Sequence, residues 1–114
     1  MQVEARRTAA TAGQYSVARG YPRHFLSAPV IAWRLLNSGP RTTRGLTLDI
    51  SIAGLSAVLC GPPQVGERVS LRLNLLDTMF EAPAIVRHSS PARTGFEFLK
   101  VSAAFLRALE TCVQ

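Results

Sequence analysis

Leu46-Thr47-Leu48-Asp49-Ile50-Ser51-Ile52-Ala53-Gly54 alternates apolar and polar residues through Ile52 and then stops at a glycine. Alternation of this kind is the signature of a half-buried strand, because successive side chains point to opposite faces. One parity, Leu46, Leu48, Ile50 and Ile52, is expected to feed a core. The other, Thr47, Asp49 and Ser51, is expected to face solvent. Asp49 and Ser51 would then stand about 7 Å apart on one face, from the two-residue strand rise. Gly54 punctuates the strand, either by adopting a backbone angle that other residues resist or by allowing a close approach. A strand that displays a carboxylate and a hydroxyl and ends at glycine reads as a binding ledge.

The same strand signal repeats on both sides. Ala28–Leu36 is apolar and carries Trp33, and Asn37-Ser38-Gly39-Pro40 is a turn cluster. Thr43–Ile52 is the ledge strand, and Leu55–Cys60 follows it after a short turn. Gly61–Gly66 is a loop, and Glu67–Leu76 alternates again. Met79–His88 is a weaker strand in which Pro83 argues for an edge or a bulge. Ser89–Thr94 turns, and Gly95–Leu99 gives a last short strand with Phe96 and Phe98 on one face. Ser102 is placed to cap a helix running to Val113, whose stripe of Phe105, Leu109, Cys112 and Val113 would cover an open end of the sheet. Phe25 and Trp33 are assigned to the core or its rim. About six short strands with hairpin-like connections indicate an all-β antiparallel barrel or sandwich.

The chain has 114 residues, the size of one domain, and 47% hydrophobic residues, enough for a packed core. Residues 1–18 read as a mobile tail with a transient helix around 4–12, and residues 19–27 as a loop. The formal net charge is +6, and all the basic residues except Lys100 are Arg. The guanidinium fork matches phosphates and guanine edges bidentately, so phosphorylated or acidic partners are favoured. A GC-rich genome would enrich Arg as well. Nothing in the chain has the length and apolarity of a transmembrane helix, and Arg6-Arg7 is not followed by the apolar run of a secretory signal. Cys60 and Cys112 form no Cys-x-x-Cys unit and are expected to be reduced and buried, in a cytoplasmic protein.

Three arrangements that suggest catalysis or metal binding fail on inspection. Gly61-x-x-x-x-Gly66 lacks the Lys-Ser/Thr of a phosphate-binding loop, and Glu67 there would repel phosphate. Ser51, His88 and Asp77 form a triad only on paper, without a Gly-x-Ser-x-Gly elbow. His24, His88 and the cysteines lack metal-ligand spacing. The chain is therefore read as not an enzyme, with no cofactor and no metal.

Arg19-Gly20-Tyr21-Pro22-Arg23 is the second informative stretch. Pro22 keeps it extended, so the two arginines span roughly 13 Å and can reach opposite sides of a small dinucleotide. One guanidinium can take guanine O6 and N7, and the other a phosphodiester. An ordinary solvated loop would look the same in isolation. So would a polar strand face, in the case of the ledge.

Taken in order, Arg-x-x-x-Arg, a strand, a hairpin and Asp-x-Ser-x-x-Gly, closed by Gly-Phe-Glu-Phe at 95–98, the chain resembles the PilZ family of bacterial cyclic di-GMP receptors over roughly residues 17–112. The resemblance implies a PilZ domain over residues 19–114: a six-stranded antiparallel β-barrel of split-barrel type, with a flanking C-terminal helix and ligand on its outer surface. It assigns Arg19 and Arg23 to the arginine loop that wraps the ligand. Asp49 and Ser51 become the base- and phosphate-contacting pair, Gly54 the turn glycine, and Gly95 a small residue near the ligand. Many members have a further Arg where this chain has Ala18, which leaves stoichiometry open and favours one ligand molecule per protomer. The implied output is a changed surface for an unidentified downstream protein. Two other classes stay open at this point: a PilZ-like interaction module that ignores nucleotides, and a small basic barrel that binds single-stranded nucleic acid.

Overall fold

A computed structural model of the chain describes residues 22–112. The expected tail over 1–18, together with Ala18, Arg19 and Val113, lies outside the described residues. Seven strands and one helix follow in order: β1 (His24–Phe25), β2 (Pro29–Leu36), β3 (Gly39–Ile50), β4 (Gly54–Leu59), β5 (Arg68–Leu75), β6 (Thr78–Ser89), β7 (Thr94–Phe98) and α1 (Ala103–Cys112). All pairings are antiparallel, in the order β1-β3-β2-β5-β6-β7-β4. The additional β3–β4 pairing returns the last strand to β3. Strands β2 to β7 therefore close into the expected six-stranded barrel, which leaves no open sheet edge within the ring. The short β1 lies against β3, where a loop was expected.

The barrel interior is filled from alternate positions. Val30 and Ala32 of β2, Leu71 and Leu73 of β5, Ala82, Ala84 and Val86 of β6, Phe96 of β7, and Leu55 and Ala57 of β4 are all buried. Pro83 sits within β6 without breaking the barrel. It faces the β7 side just past the ladder pair Ala84–Phe98, and its carbonyl accepts from Leu99 N at 2.8 Å. Beyond the end of β7 its missing N–H takes no ladder bond from that strand. The β5–β6 hairpin turns through Leu76 and Asp77, both at positive φ, 54° and 62°.

Helix α1 caps one end, as its apolar stripe predicts. Ser102 Oγ accepts from Phe105 N at 3.0 Å, the expected N-cap. Phe105 is buried, stacks on Phe80 at 5.5 Å and meets Phe98 edge-on at 5.4 Å. Cys112 is partly buried against the core, but Cys60 is exposed, contrary to expectation.

The ledge strand departs from simple alternation. On β3 it is Thr43 and Thr47 that are buried, while Leu46 and Leu48 are 52% and 40% exposed. The cause is a bulge: Thr47 pairs with Ala57 and Asp49 with Ser56, adjacent residues on β4, so Leu48 has no partner across the ladder. The bulge resets the parity, and Ile50 points inward beyond it. Ile52 lies past the end of the strand and is exposed. The buried Thr47 hydroxyl is satisfied, accepting from Ala28 N at 2.9 Å and donating to Leu26 O.

Candidate functional site

The bulge at Leu48 leaves Asp49 on the outer face of β3. Pairing carries that face across the neighbouring strands as a row: Phe25 on β1, Asp49 on β3, Ser56 on β4, Gly95 on β7 and His88 on β6. Five adjacent strands make this row about 19 Å wide, from the inter-strand spacing. A second bulge, between Val86 and His88, brings His88 opposite Gly95.

Two arginines converge on Asp49. Arg23 Nη1 is 3.5 Å from Oδ1, and Arg93 Nη2 is 3.8 Å from Oδ2. The Asp49 side chain is 16% exposed, whereas both arginines are about half exposed. The Arg23 contact has ion-pair distance but not hydrogen-bond geometry, and Oδ1 is a buried acceptor that takes no hydrogen bond from the described residues. Arg23 is held in place by the segment that follows it. His24 and Phe25 pair with Ile50 and Asp49, Leu26 N donates to Leu48 O at 3.3 Å, and the Thr47 hydroxyl ties down Leu26 and Ala28. Arg93 springs from a tight turn in which Ser90 N donates to Arg93 O at 2.9 Å and Ser90 Oγ also bonds to the Arg93 backbone.

Of the residues singled out in the sequence, Arg23 and Asp49 meet, and Arg19 lies outside the described residues. Ser51 is not on the outer face. It is 3% exposed, and its Oγ accepts from Ala53 N at 3.1 Å and contacts Gly54 O at 3.5 Å. This corrects the expected ledge pair: Ser51 ties the β3–β4 turn, whose ends also close through Ser51 N to Gly54 O at 2.8 Å. Gly54 and Gly95 differ in what requires them. A Cβ at Gly54 would lie 2.0 Å from Phe96 O, so the close approach of β7 excludes any side chain. A Cβ at Gly95 would meet His88 alone, its Cβ at 3.4 Å and its backbone N at 4.0 Å, both ordinary contacts. The fold tolerates a side chain there, and its absence keeps the middle of the row open.

Sequence reasoning missed three residues of this face. Phe25, assigned to the core or rim, is 97% exposed beside Asp49 and offers a flat ring on which a base can stack. Arg93 is a single arginine in a turn and carries no periodic signal. Ser56 lies on β4 outside both stretches. A groove of about 130 Å³ lies between the start of the described chain and α1, lined by Pro22, His24, Ser51, Ile52, Leu109 and Glu110.

The decoys resolve structurally. Glu67 pairs with Arg34 and accepts from Gln64 N at 2.7 Å, so it braces its loop. Asp77 and His88 lie at opposite ends of β6, roughly 35 Å apart along the strand, which rules out the paper triad. Among the described residues no three His, Cys, Asp or Glu side chains group as metal ligands. No described helix is long and apolar enough to cross a membrane.

The family described as PilZ domain matches residues 18–114. No curated protein matches the chain. Among solved structures, it is similar to the Bacillus subtilis inhibitor of motility MotI/DgrA, with TM-score 0.65 and 23% identity over 85% of this chain and 50% of that one. It is also similar to the PilZ domain of Escherichia coli YcgR with c-di-GMP, with TM-score 0.61 and 23% identity over 85% of this chain and 89% of that one. YcgR from Escherichia coli in complex with c-di-GMP matches with TM-score 0.60 and 27% identity, over 82% of this chain and 43% of that one. The chain thus spans half of MotI/DgrA and less than half of the longer YcgR chain.

Proposed function

The chain belongs to the PilZ domain family, and from that premise we propose that it is a cyclic di-GMP receptor rather than an enzyme. The observation that carries the reading is the meeting of Arg23 with Asp49 on the outer barrel face. Arg23 and Asp49, one residue from each of the two stretches that resemble the family's binding motif, meet through β1 and the Leu48 bulge. The YcgR structures, which hold c-di-GMP in the same family of fold, support the choice of ligand.

In this reading the Asp49 carboxylate accepts the N–H groups of a guanine Watson–Crick edge, which suits an acceptor-only group with an unfilled Oδ1. Arg23, joined by Arg19, leaves its weak contact with Asp49 and closes on phosphate and base acceptors. Ser51 and Gly54 act beneath the site by fixing the β3–β4 turn, and Gly95 leaves room for the base. With Ala18 in place of a further arginine, one ligand molecule binds per protomer. Closure of the arginine segment changes the surface along the Pro22–Glu110 groove that a downstream protein in the cytoplasm reads. The size of that response is bounded by the ligand's preference for the closed state.

Calorimetric titration of the full chain with cyclic di-GMP, beside poly-dT at low and high salt, tests the proposal. Saturable binding of the dinucleotide supports it. Binding of poly-dT alone, falling steeply with salt, would instead favour the nucleic-acid class.

A further inference from the structure

Ser56 belongs to neither of the two stretches, yet it occupies the middle of the outer row, between Asp49 on β3 and Gly95 on β7. It is completely buried, and its Oγ takes no hydrogen bond from the described residues. A buried hydroxyl without a partner destabilises a fold, and Ala would fill the position without that cost. What lies over it follows from the strand order. Because β4 separates β3 from β7, the ion pair from Arg93, which precedes β7 in the β6–β7 turn, to Asp49 on β3 has to pass across β4 at the level of Ser56. That ion pair is long, at 3.8 Å, and the Arg93 side chain is 51% exposed, so it is weak and readily exchanged.

We propose that Arg93 and Ser56 are ligand-specificity residues of this site, with Arg93 as a movable cover over Ser56. The inference rests on the receptor reading given above. In the free protein Arg93 lies on Asp49. When the dinucleotide arrives, Asp49 turns to the N1–H and 2-amino groups of guanine. The guanidinium of Arg93 moves to O6 and N7, the acceptors that adjoin that edge and that a planar fork takes bidentately. Its departure opens Ser56, whose hydroxyl then finds in the ligand the hydrogen bond it lacks in the free protein. Gly95 provides the space for this exchange. The turn bonds of Ser90 keep the Arg93 backbone fixed while its side chain moves.

Calorimetry with cyclic di-GMP on the full chain and on Arg93→Ala, Arg93→Lys and Ser56→Ala, with thermal melts of each free protein, tests this. Both Arg93 variants are expected to bind about tenfold more weakly or worse, since Lys supplies charge but not the fork. Ser56→Ala is expected to bind about fivefold more weakly while its Tm stays level or rises. Parent-like or tighter binding by Arg93→Ala, or full rescue by Arg93→Lys, overturns the role of Arg93. A lowered Tm with unchanged affinity for Ser56→Ala overturns the role of Ser56 and makes it structural. Failure of the parent itself to bind overturns the receptor reading and this inference with it, whereas a binding parent with unaffected variants overturns this inference alone.

Discussion

Arg23 Nη1 stands 3.5 Å from Asp49 Oδ1, and this contact joins the segment ahead of the barrel to the strand that forms its ledge. The pair is too exposed on the Arg23 side to stabilise the fold by more than about 1 kcal/mol. In the proposed receptor its value lies in binding. Arg23→Ala and Asp49→Ala are each expected to weaken cyclic di-GMP binding by about 1.5–3 kcal/mol, with nearly unchanged denaturation midpoints. The double variant should lose less than the sum, because both residues serve one ligand. Parent-like binding by both single variants would place the site elsewhere.

Two buried threonines should respond oppositely to the same change. Thr47 holds Ala28 N and Leu26 O, so Thr47→Val strands two backbone groups and is expected to cost about 2–3 kcal/mol. Thr94 is equally buried, but its Oγ1 takes no hydrogen bond from the described residues. Thr94→Val should be neutral or stabilise by up to about 1 kcal/mol. Urea midpoints at constant slope distinguish the two.

The hairpin at Leu76-Asp77 needs positive φ at both positions, which suits Asn-Gly and disfavours leucine. Replacing the pair by Leu76→Asn and Asp77→Gly is expected to stabilise the barrel by roughly 1–2 kcal/mol, read as a higher Tm. A lower Tm would show that the exposed Leu76 side chain has a packing role.

The helix is held by one cap and one ring. Ser102→Ala should cost about 1 kcal/mol through the N-cap, and Phe105→Ala about 3–5 kcal/mol through loss of contact with Phe80 and Phe98. Equal losses in the two variants would contradict the assignment of Phe105 as the anchor.

The strand series, the barrel and the capped helix were legible because alternation, turn residues and a single apolar stripe are local signals. The outer face was not, because it depends on Leu48. A one-residue bulge reverses which parity is buried, and no alternation count separates Thr47 inward from Leu46 outward when both residues suit a strand. Ser51 departs from the expectation for a different reason: its position in the tight turn after the strand, rather than strand parity, turns its hydroxyl onto the Ala53–Gly54 backbone. Asp49 came out on the solvent side in both readings, since it follows the bulge directly. Sequence alone assigns Phe25 to the core or its rim, yet its ring is almost wholly exposed beside Asp49, because the two-residue β1 lies against β3 outside the barrel ring. Arg93 and Ser56 reach the site only through the order of β3, β4 and β7, which is a property of barrel closure rather than of any local pattern.

The central claim is that the face formed by Arg23 and Asp49 binds cyclic di-GMP, and direct calorimetric titration of the full chain with that dinucleotide tests it most closely. The account predicts saturable heat approaching one ligand molecule per protomer, and markedly weaker binding by Asp49→Ala. Absence of heat at about 100 µM ligand, where a complex of about −5.5 kcal/mol would register, would contradict it.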